Sequence, residues 1–327
     1  MKKYSQEKEQ LMIEGSGLLQ SFYQTKVRFI RYLGGGSYGR VFLFNIEKPP
    51  YQVVLKACLL KDMADKEVQA IETLRSQSLI PMVDIYHVFH QAEDVSCDYI
   101  LMAFIDGKNA LFSLRLLLAH SKKKRAFAKK VIDNLAAYHQ KKHATFGPIE
   151  QPNYKQWLDY YFPFVDNVLT QAKDAYSMGK LEKNILDLIL EANTFRDIIF
   201  EEPILQASLI HGDYNVANIM VDQLGVPTAI IDPLHTMWAD KEYDLFQLRN
   251  LTGECFHLYD TYKQNYPTSK RVDIKCAFYA LYHELYVIFE SGHRYNLILM
   301  PLVKRLRKEL KKLKNERNTL KNDEFIA

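Results

Sequence analysis

Three polar residues in the second half of the chain have the types and spacing that phosphoryl transfer requires. In HGDYNVAN, Asn218 follows Asp213 by five positions, and Asp232 comes directly after an apolar strand predicted at 228–231. Such a transfer needs a carboxylate that accepts the proton of the substrate hydroxyl and hard oxygen ligands that hold Mg2+ against the phosphates. These residues supply that set. A solvated aspartate in a plain hairpin turn is the alternative interpretation.

The sequence around these residues predicts the elements that hold them. Residues 209–231 have the pattern of an apolar strand, a polar loop and a second apolar strand. A helix is predicted to open at about Tyr243. Asp240 or Asp244 is expected to cap this helix and to tie down the loop, which is a structural role.

A glycine-rich turn lies near the N-terminus, in GGGSYGRV, between two predicted strands. Glycines let the backbone approach phosphates closely, and the amides of such a turn can face phosphate oxygens. A plain β-turn also needs glycine and stays an alternative. A dinucleotide-binding fold is disfavoured because a strand, not a helix, follows. The candidate nucleotide-binding residues are Gly34, Gly36, Ser37, Gly39 and Val41.

The next predicted strand, QVVLKAC, places Lys56 among apolar residues. A lysine in such a strand requires anionic partners. Kinases use a strand lysine at this distance from a glycine loop against the nucleotide phosphates. Glu67, on the following predicted helix, is the candidate partner, and Glu72 is the competitor. An acidic residue that only stabilises the first helical turn is the alternative for Glu67.

The segment LMAFIDGK is predicted to end a strand at a hinge. We expect the backbone of Ala103 and Ile105 to bind an adenine edge, and Met102 to pack behind it. Five predicted strands and one helix precede this hinge, and nearly everything after it has helical periodicity.

The order of these elements predicts an α+β chain with two lobes. The first, at 1–105, is a small antiparallel β lobe with one helix that binds a nucleotide, and it carries a helical extension at 1–25. The second, at 106–327, is mainly helical and holds the catalytic loop and the substrate pocket. We expect the nucleotide in the cleft between the lobes.

Composition limits the classes of function. The chain has 327 residues, 48% of them hydrophobic and 25% charged, with a formal net charge of +4. This balance is typical of a globular protein and gives no case for nucleic-acid binding. The four cysteines lie far apart, so reduced thiols and a cytoplasmic location are expected. No apolar leader and no 18-residue apolar run occur, so neither secretion nor a membrane span is expected.

Two further segments leave alternatives open. Residues 154–199 combine aromatic and acidic side chains, which could form a pocket for a cationic or polyhydroxy acceptor or simply a core with a wet acidic face. The basic segment 304–321 keeps a helical leucine stripe and is interpreted as a charged terminal helix. An anionic partner or membrane surface is the alternative. The oligomeric state is left open.

From about Tyr32 to Tyr295 the sequence resembles the aminoglycoside phosphotransferase and choline kinase superfamily, which shares the protein-kinase-like fold. The HGDxxxxN loop, Lys56, Glu67, the LMAFIDG hinge and the IDP turn all have counterparts there. The resemblance implies that Asp213 is the catalytic base and that Asn218 and Asp232 bind Mg2+. It also implies that Lys56, held by Glu67, contacts the phosphates of ATP.

The second half is most similar to the fructosamine (ketosamine) kinases, in residues 146–157, 231–248 and 280–295. Those kinases usually show HGDLWxGN, whereas this chain has Tyr214 and Asn215 in place of Leu-Trp and Ala217 in place of glycine. The resemblance implies an ATP- and Mg2+-dependent enzyme that phosphorylates a hydroxyl of a small sugar-like or amine-bearing acceptor. An aminoglycoside phosphotransferase, a protein kinase and a nucleotide-binding pseudokinase or scaffold remain the alternatives.

Overall fold

The computed structural model describes residues 2–36, 38–250 and 252–326, with side chains described between Gln6 and Thr319 in those ranges. The chain forms two compact units. The first comprises Met1–His120 and Ala217–His235, and the second comprises Ser121–Val216 and Thr236–Ala327. The first unit therefore includes a segment that follows its main part by almost a hundred residues.

The strands pair in antiparallel ladders. In chain order they are β1 (Val27–Gly34), β2 (Gly39–Ile46), β3 (Gln52–Cys58), β4 (Ile85–Phe89), β5 (Asp98–Ala103), β6 (Lys108–Asn109), β7 (Lys142–His143), β8 (Gly147–Pro148), β9 (Ala207–Ile210), β10 (Ile219–Val221), β11 (Pro227–Ile230) and β12 (Met237–Ala239).

The α-helices precede, separate and follow these strands. They are α1 (Lys2–Tyr23), α2 (Met63–Arg75), α3 (Leu114–Leu117), α4 (Ser121–Gln140), α5 (Trp157–Ser177), α6 (Lys183–Thr194), α7 (Arg196–Ile199), α8 (Leu258–Asn265), α9 (Val272–Ser291) and α10 (Asn296–Ile326). Short 3-10 helices form at Ala110–Phe112, Val216–Asn218, Lys241–Arg249 and Gly253–Phe256.

The main sheet of the first unit has the strand order β1-β2-β3-β5-β4. All residues of β3 except the first are buried, which is typical of a central strand that is covered on both faces. Both α1 and α2 pack against this sheet. Lys56 therefore lies in the middle of the sheet, opposite Val41 of β2 and Ile100 of β5.

The helical extension expected at 1–25 contains the sequence Gly15-Ser16-Gly17, which is unfavourable inside a helix. Helix α1 runs through this sequence without a break. A Cβ on Gly15 would lie 2.5 Å from Cδ2 of Leu55, so glycine permits the close approach of the helix to β3. Leu11 and Leu19 are buried in the same core cluster, and this packing stabilises a helix that its glycines alone would weaken.

A second sheet of the first unit, with the order β11-β10-β6, carries the predicted metal ligands. Ile219 of β10 pairs with Ile230 of β11. The amide of Ile231 donates to the carbonyl of Asn218 at 3.0 Å. Asn218 directly precedes one strand and Asp232 follows the other, so both belong to the same end of this antiparallel hairpin.

The second unit is mainly helical, with a small sheet of order β7-β9-β12-β8. Its core is rich in aromatic rings. Trp157 and Tyr161 stack at a centroid distance of 5.5 Å, and each is only 2% exposed. These two aromatic residues of the segment 154–199 are therefore core residues. None of the helices in the described ranges has both the length and the apolar composition needed to cross a bilayer.

Two segments of the second unit show where capping contacts end or begin a helix. Residues 154–199 form three helices, and α5 ends where the amide of Lys180 donates back to the carbonyl of Ala175 at 2.8 Å, which caps the helix. The element expected to open at about Tyr243 is a 3-10 helix that begins at Lys241. It starts earlier because Asp240 caps it by accepting a hydrogen bond from the amide of Glu242 at 3.0 Å.

Candidate active site

The glycine-rich turn connects β1 to β2 as predicted, and Gly34 lies opposite Val41 in the ladder. The structure also identifies a glycine that the motif did not single out. A Cβ on Gly35 would overlap the carbonyl of Gly39 and lie 2.7 Å from the hydroxyl of Tyr32, so a larger residue would displace the turn. Ser37 lies outside the described residues.

Arg40 holds this turn from within the sheet. Its Nη1 donates to the carbonyl of Gly36 at 3.0 Å and to that of Gly39 at 2.9 Å. Its Nη2 lies 3.2 Å from the carboxylate of Glu7 in α1. Arg40 is only 6% exposed, so its cationic group stabilises the turn in a partly desolvated environment where such bonds are strong. The sequence analysis did not select Arg40.

Lys56 lies between two carboxylates. Its Nζ is 2.8 Å from Oε1 and 2.7 Å from Oε2 of Glu67. The same Nζ lies 2.8 Å from Oδ1 of Asp232. Glu67, which projects from α2, is therefore the partner of the lysine. Glu67 is 2% exposed and binds the lysine, and the acidic residue in the first turn of α2 is Asp65. The alternative of an acid that only stabilises the first helical turn therefore does not describe Glu67.

These neighbours determine the charge of the lysine. Burial by itself would lower the pKa of Lys56, but the carboxylates of Glu67 and Asp232 outweigh this effect, and the pKa is raised above its ordinary value. Lys56 is therefore cationic at any physiological pH. A fixed positive charge at the centre of the sheet is suited to an anionic ligand such as a phosphate chain.

Asn218 and Asp232 have side chains that can bind a magnesium ion, and both lie at the same end of the β10–β11 hairpin. Amide and carboxylate oxygens are the hard ligands that Mg2+ prefers, and in nucleotide sites Mg2+ takes few protein ligands and completes its shell with water and phosphate oxygens. Asp232 has a φ of 59°, an uncommon conformation for a residue other than glycine and one that often marks functional positions. About half of its side-chain surface is exposed.

The predicted hinge follows β5. Met102 is buried and lies opposite Val54 of β3. The amide of Ala103 already donates to the carbonyl of Asp84 at 2.8 Å, so any contribution of Ala103 to a base would come from its carbonyl. Ile105 follows the end of the strand and is partly buried.

Asp213 belongs to the second unit, on the loop after β9. Asp244 anchors the start of this loop, because its carboxylate accepts the amide of His211 at 2.9 Å and that of Gly212 at 2.7 Å. His139 of α4 approaches the same carboxylate with its Nε2 at 3.1 Å. A carboxylate can only accept, so Nε2 carries the proton, and Nδ1 accepts from the hydroxyl of Tyr262 at 2.8 Å.

Asp244 is completely buried, and it performs the loop-anchoring role expected of Asp240 or Asp244, while Asp240 performs the capping role. His139 gave no signal in the sequence other than its position on a predicted helix. Burial lowers the pKa of His139, although the hydrogen bond and charge of Asp244 act in the opposite direction.

The two residues after Asp213, which depart from the HGDLWxGN pattern, both have defined contacts. Tyr214 is fully buried. Its hydroxyl donates to the carbonyl of Val131 at 2.9 Å and accepts from Nδ2 of Asn134 at 3.0 Å. Asn215 donates from its Nδ2 to Oδ1 of Asp213 at 2.7 Å. Tyr214 therefore fixes the loop to α4, and Asn215 contacts the predicted base itself.

Comparison with solved structures identifies the fold. A mutant of aminoglycoside 2'-phosphotransferase-IIIa, solved as its GDP complex, is similar with a TM-score of 0.65 at 13% identity, over 90% of this chain and 95% of that chain. A putative fructosamine-3-kinase from Haemophilus somnus 129PT is similar with a TM-score of 0.61 at 18% identity, over 90% of this chain and 96% of that chain. These similarities confirm the predicted kinase-like α+β fold.

Comparison of sequences identifies the family. A probable ketoamine kinase from Staphylococcus aureus is 31% identical over 140 residues, which are 42% of this chain and 47% of the relative. This alignment therefore spans about half the length of that relative. The family model for fructosamine kinase matches residues 16–309. Because that match covers most of the chain, the protein belongs to the fructosamine kinase family.

Proposed function

We propose that this protein is an ATP- and Mg2+-dependent kinase that phosphorylates a hydroxyl of a small sugar-like or amine-bearing acceptor, of the ketosamine class. The observation that carries the proposal is the buried cation of Lys56, held by Glu67 and by Asp232 at 2.7–2.8 Å. Membership of the fructosamine kinase family supports the same conclusion.

The predicted nucleotide-binding residues act on the phosphates and on the base. Lys56 binds the α- and β-phosphates, and Glu67 keeps the lysine in place. The glycine turn between β1 and β2 covers the phosphates, and its residues Gly34, Gly36, Gly39 and Val41 shape that cover. The carbonyl of Ala103 and the backbone of Ile105 bind the adenine edge, with Met102 behind it.

Asp213 accepts the proton of the acceptor hydroxyl, which typically contributes about 10² to 10⁴ in rate. Asn218 and Asp232 hold Mg2+. When bound, the ion neutralises charge on the phosphate oxygens during transfer. The remaining catalysis comes from positioning the two substrates, which the anchored loop at His211 and Gly212 supports.

We place the reaction in the cytoplasm, where ATP is abundant. All four cysteines are free thiols in the structure, which suits a reducing compartment. Both ATP and GTP should be tested as phosphate donors, because the similar phosphotransferase was solved with GDP.

The deciding experiment is release of nucleoside diphosphate in the presence of Mg2+, with ATP or GTP and with ketosamines, amino sugars, choline-like amines or aminoglycosides as acceptors. Asp213→Asn is the blank, and the exposed substitution Asp174→Asn is the matched control. We expect ketosamines to stimulate release by the unmodified protein and by the control, and to have no effect on the blank. Stimulation by aminoglycosides alone would show that the acceptor is an aminoglycoside and not a ketosamine. Equal turnover by the blank would overturn the role of Asp213.

A further inference from the structure

The side chain of Asn215 contacts the carboxylate of Asp213 directly. Its Nδ2 lies 2.7 Å from Oδ1 of Asp213 and 3.5 Å from the carbonyl oxygen of the same residue. The backbone amide of Asn215 also donates to that carbonyl at 3.0 Å. Asn215 is only 8% exposed. A hydrogen bond from a neutral amide to a carboxylate in such a place is charge-assisted and short.

The neighbouring residue fixes the direction of this contact. Tyr214 is completely buried and is bound to α4 through Val131 and Asn134. The loop therefore cannot rotate about Tyr214 without breaking two buried hydrogen bonds and leaving their polar groups unpaired. Asn215 is held so that its amide points at Asp213.

The two residues Tyr214 and Asn215 are the ones that replace the Leu-Trp pair usual in ketosamine kinases. A leucine at position 214 has no hydroxyl to bond α4, and a tryptophan at position 215 carries an indole N–H on a larger ring instead of a side-chain amide. Tyr214 and Asn215 thus act together. Tyr214 anchors the loop to α4, and Asn215 contacts the carboxylate of Asp213.

We propose that Asn215 is a positioning residue for the catalytic base in this chain. The proposal rests on the proposed kinase function. By donating to Oδ1, Asn215 fixes the rotation of the Asp213 carboxylate about its Cβ–Cγ bond, and so fixes the direction in which the carboxylate accepts a proton.

The step that depends on this geometry is the transfer of the γ-phosphoryl group to the acceptor hydroxyl. The O–H bond of the acceptor breaks, and its proton passes to the carboxylate of Asp213. The acceptor oxygen forms a bond to the γ-phosphorus of ATP, the bond from that phosphorus to the bridging oxygen breaks, and ADP leaves. Because a misplacement of about 1 Å can cost about 10²-fold in rate, a freely rotating carboxylate should slow this step without weakening nucleotide binding.

Three substitutions test the role. Asn215→Leu keeps the approximate size and removes the donor. Asn215→Asp keeps the shape and replaces the donor with a second carboxylate that repels Asp213. Asn215→Gln keeps an amide on a longer side chain. Asn167→Leu, at an exposed position of α5, is the matched control. For each variant, kcat, KM for ATP, KM for the acceptor and Tm are measured.

We expect kcat to fall at least tenfold in Asn215→Leu and further in Asn215→Asp, with KM for ATP within about twofold of the unmodified protein. Asn215→Gln should recover part of the loss. If Asn215→Leu does not fold, the isosteric Asn215→Asp decides. A kcat within twofold of normal in that variant, or a loss confined to KM for ATP, would overturn the proposal.

Equal losses of kcat in Asn215→Leu, Asn215→Asp and Asn215→Gln that follow a lowered Tm would assign Asn215 a structural role only, and they would also overturn the proposal. If the proposed kinase function itself is wrong, the measurements give a different result. In that case the unmodified protein itself shows no acceptor-stimulated turnover, and Asp213→Asn does not differ from it.

Discussion

The carboxylate of Asp244 accepts a hydrogen bond from the backbone amide of Gly212 at 2.7 Å. The adjacent amide of His211 binds the same carboxylate at 2.9 Å. One buried side chain thus satisfies two consecutive amides directly before Asp213. The position of the predicted base is therefore set by a residue that lies more than thirty positions further along the chain and touches no substrate in the proposed reaction.

This relationship predicts that Asp244→Asn lowers both the stability of the protein and its kcat. The amide group of asparagine has one acceptor oxygen, so at least one buried donor among the loop amides and His139 would lose its partner, at a cost of about 1–3 kcal/mol. Denaturant unfolding should show this destabilisation, and kcat should fall more than KM for ATP.

Asp222 offers a matched control for that substitution. Its Oδ1 also accepts two backbone amides, those of Leu224 and Val226, each at 2.8 Å, but in an exposed turn. Asp222→Asn should change the free energy of unfolding by less than about 1 kcal/mol, because water can replace the lost acceptor. Equal effects of the two substitutions would contradict the importance of burial at Asp244.

His139 predicts a pH dependence of stability. Its pKa is lowered in the folded protein, chiefly by burial, whereas in the unfolded chain it titrates near the ordinary value of about 6.5. Below that pH the unfolded state binds the additional proton, so the free energy of unfolding falls as pH falls, by up to about 1.4 kcal/mol per pH unit.

Urea unfolding between pH 7.5 and 5.0 would measure this slope. In His139→Gln the slope should become shallower in that range, although the variant is less stable at every pH. His120→Gln, at an exposed position, should retain the full slope. An unchanged slope in His139→Gln would argue that other groups cause the dependence.

Lys56→Met should strongly reduce turnover, measured in the presence of Mg2+, in a protein that is still folded. The substitution removes the cation and leaves Glu67 and Asp232 facing each other, and loss of such a fixed charge at a transition state typically costs about 10² to 10³ in kcat. Steady-state kinetics with saturating ATP would measure the loss. Glu72→Gln, on the same helix, should have near-normal activity. A large loss in Glu72→Gln would contradict the assignment of Glu67 as the partner.

Arg40 should affect nucleotide affinity through the glycine turn. In Arg40→Met the carbonyls of Gly36 and Gly39 lose their donor, so KM for ATP should rise about tenfold, which corresponds to about 1.4 kcal/mol. The half-exposed partner Glu7 should matter less, because such pairs contribute about 0–1 kcal/mol. A larger increase of KM for ATP in Glu7→Gln than in Arg40→Met would contradict the greater importance of Arg40.

The sequence predicted the fold because its patterns are local. Alternating strands around a glycine turn, a lysine in an apolar strand and the HGDxxxxN spacing each depend on neighbouring residues. These patterns also selected Lys56 and Glu67, which the structure brings together. The roles of the selected residues in catalysis stay predictions.

The remaining parts of the site depend on contacts between distant positions. Nothing near His139 indicates that its ring meets Asp244, because the partner lies 105 positions away. Gly35 and Gly39 are only four positions apart, but the close approach of the Gly39 carbonyl to Gly35 depends on how the turn folds. Helix α1 continues through Gly15 and Gly17 because Leu55 packs closely against it, and a propensity rule cannot include that partner.

The start of helix α1 has a practical consequence for protein production. Residues 2–15 precede the stretch that matches the fructosamine kinase family, yet they include Leu11 in the core and Glu7 beside Arg40. A protein expressed from residue 16 onwards would therefore lack a buried leucine and the carboxylate that contacts Arg40. Loss of yield or of ATP binding from such a shortened protein would reflect the cloning boundary rather than the chemistry of the enzyme.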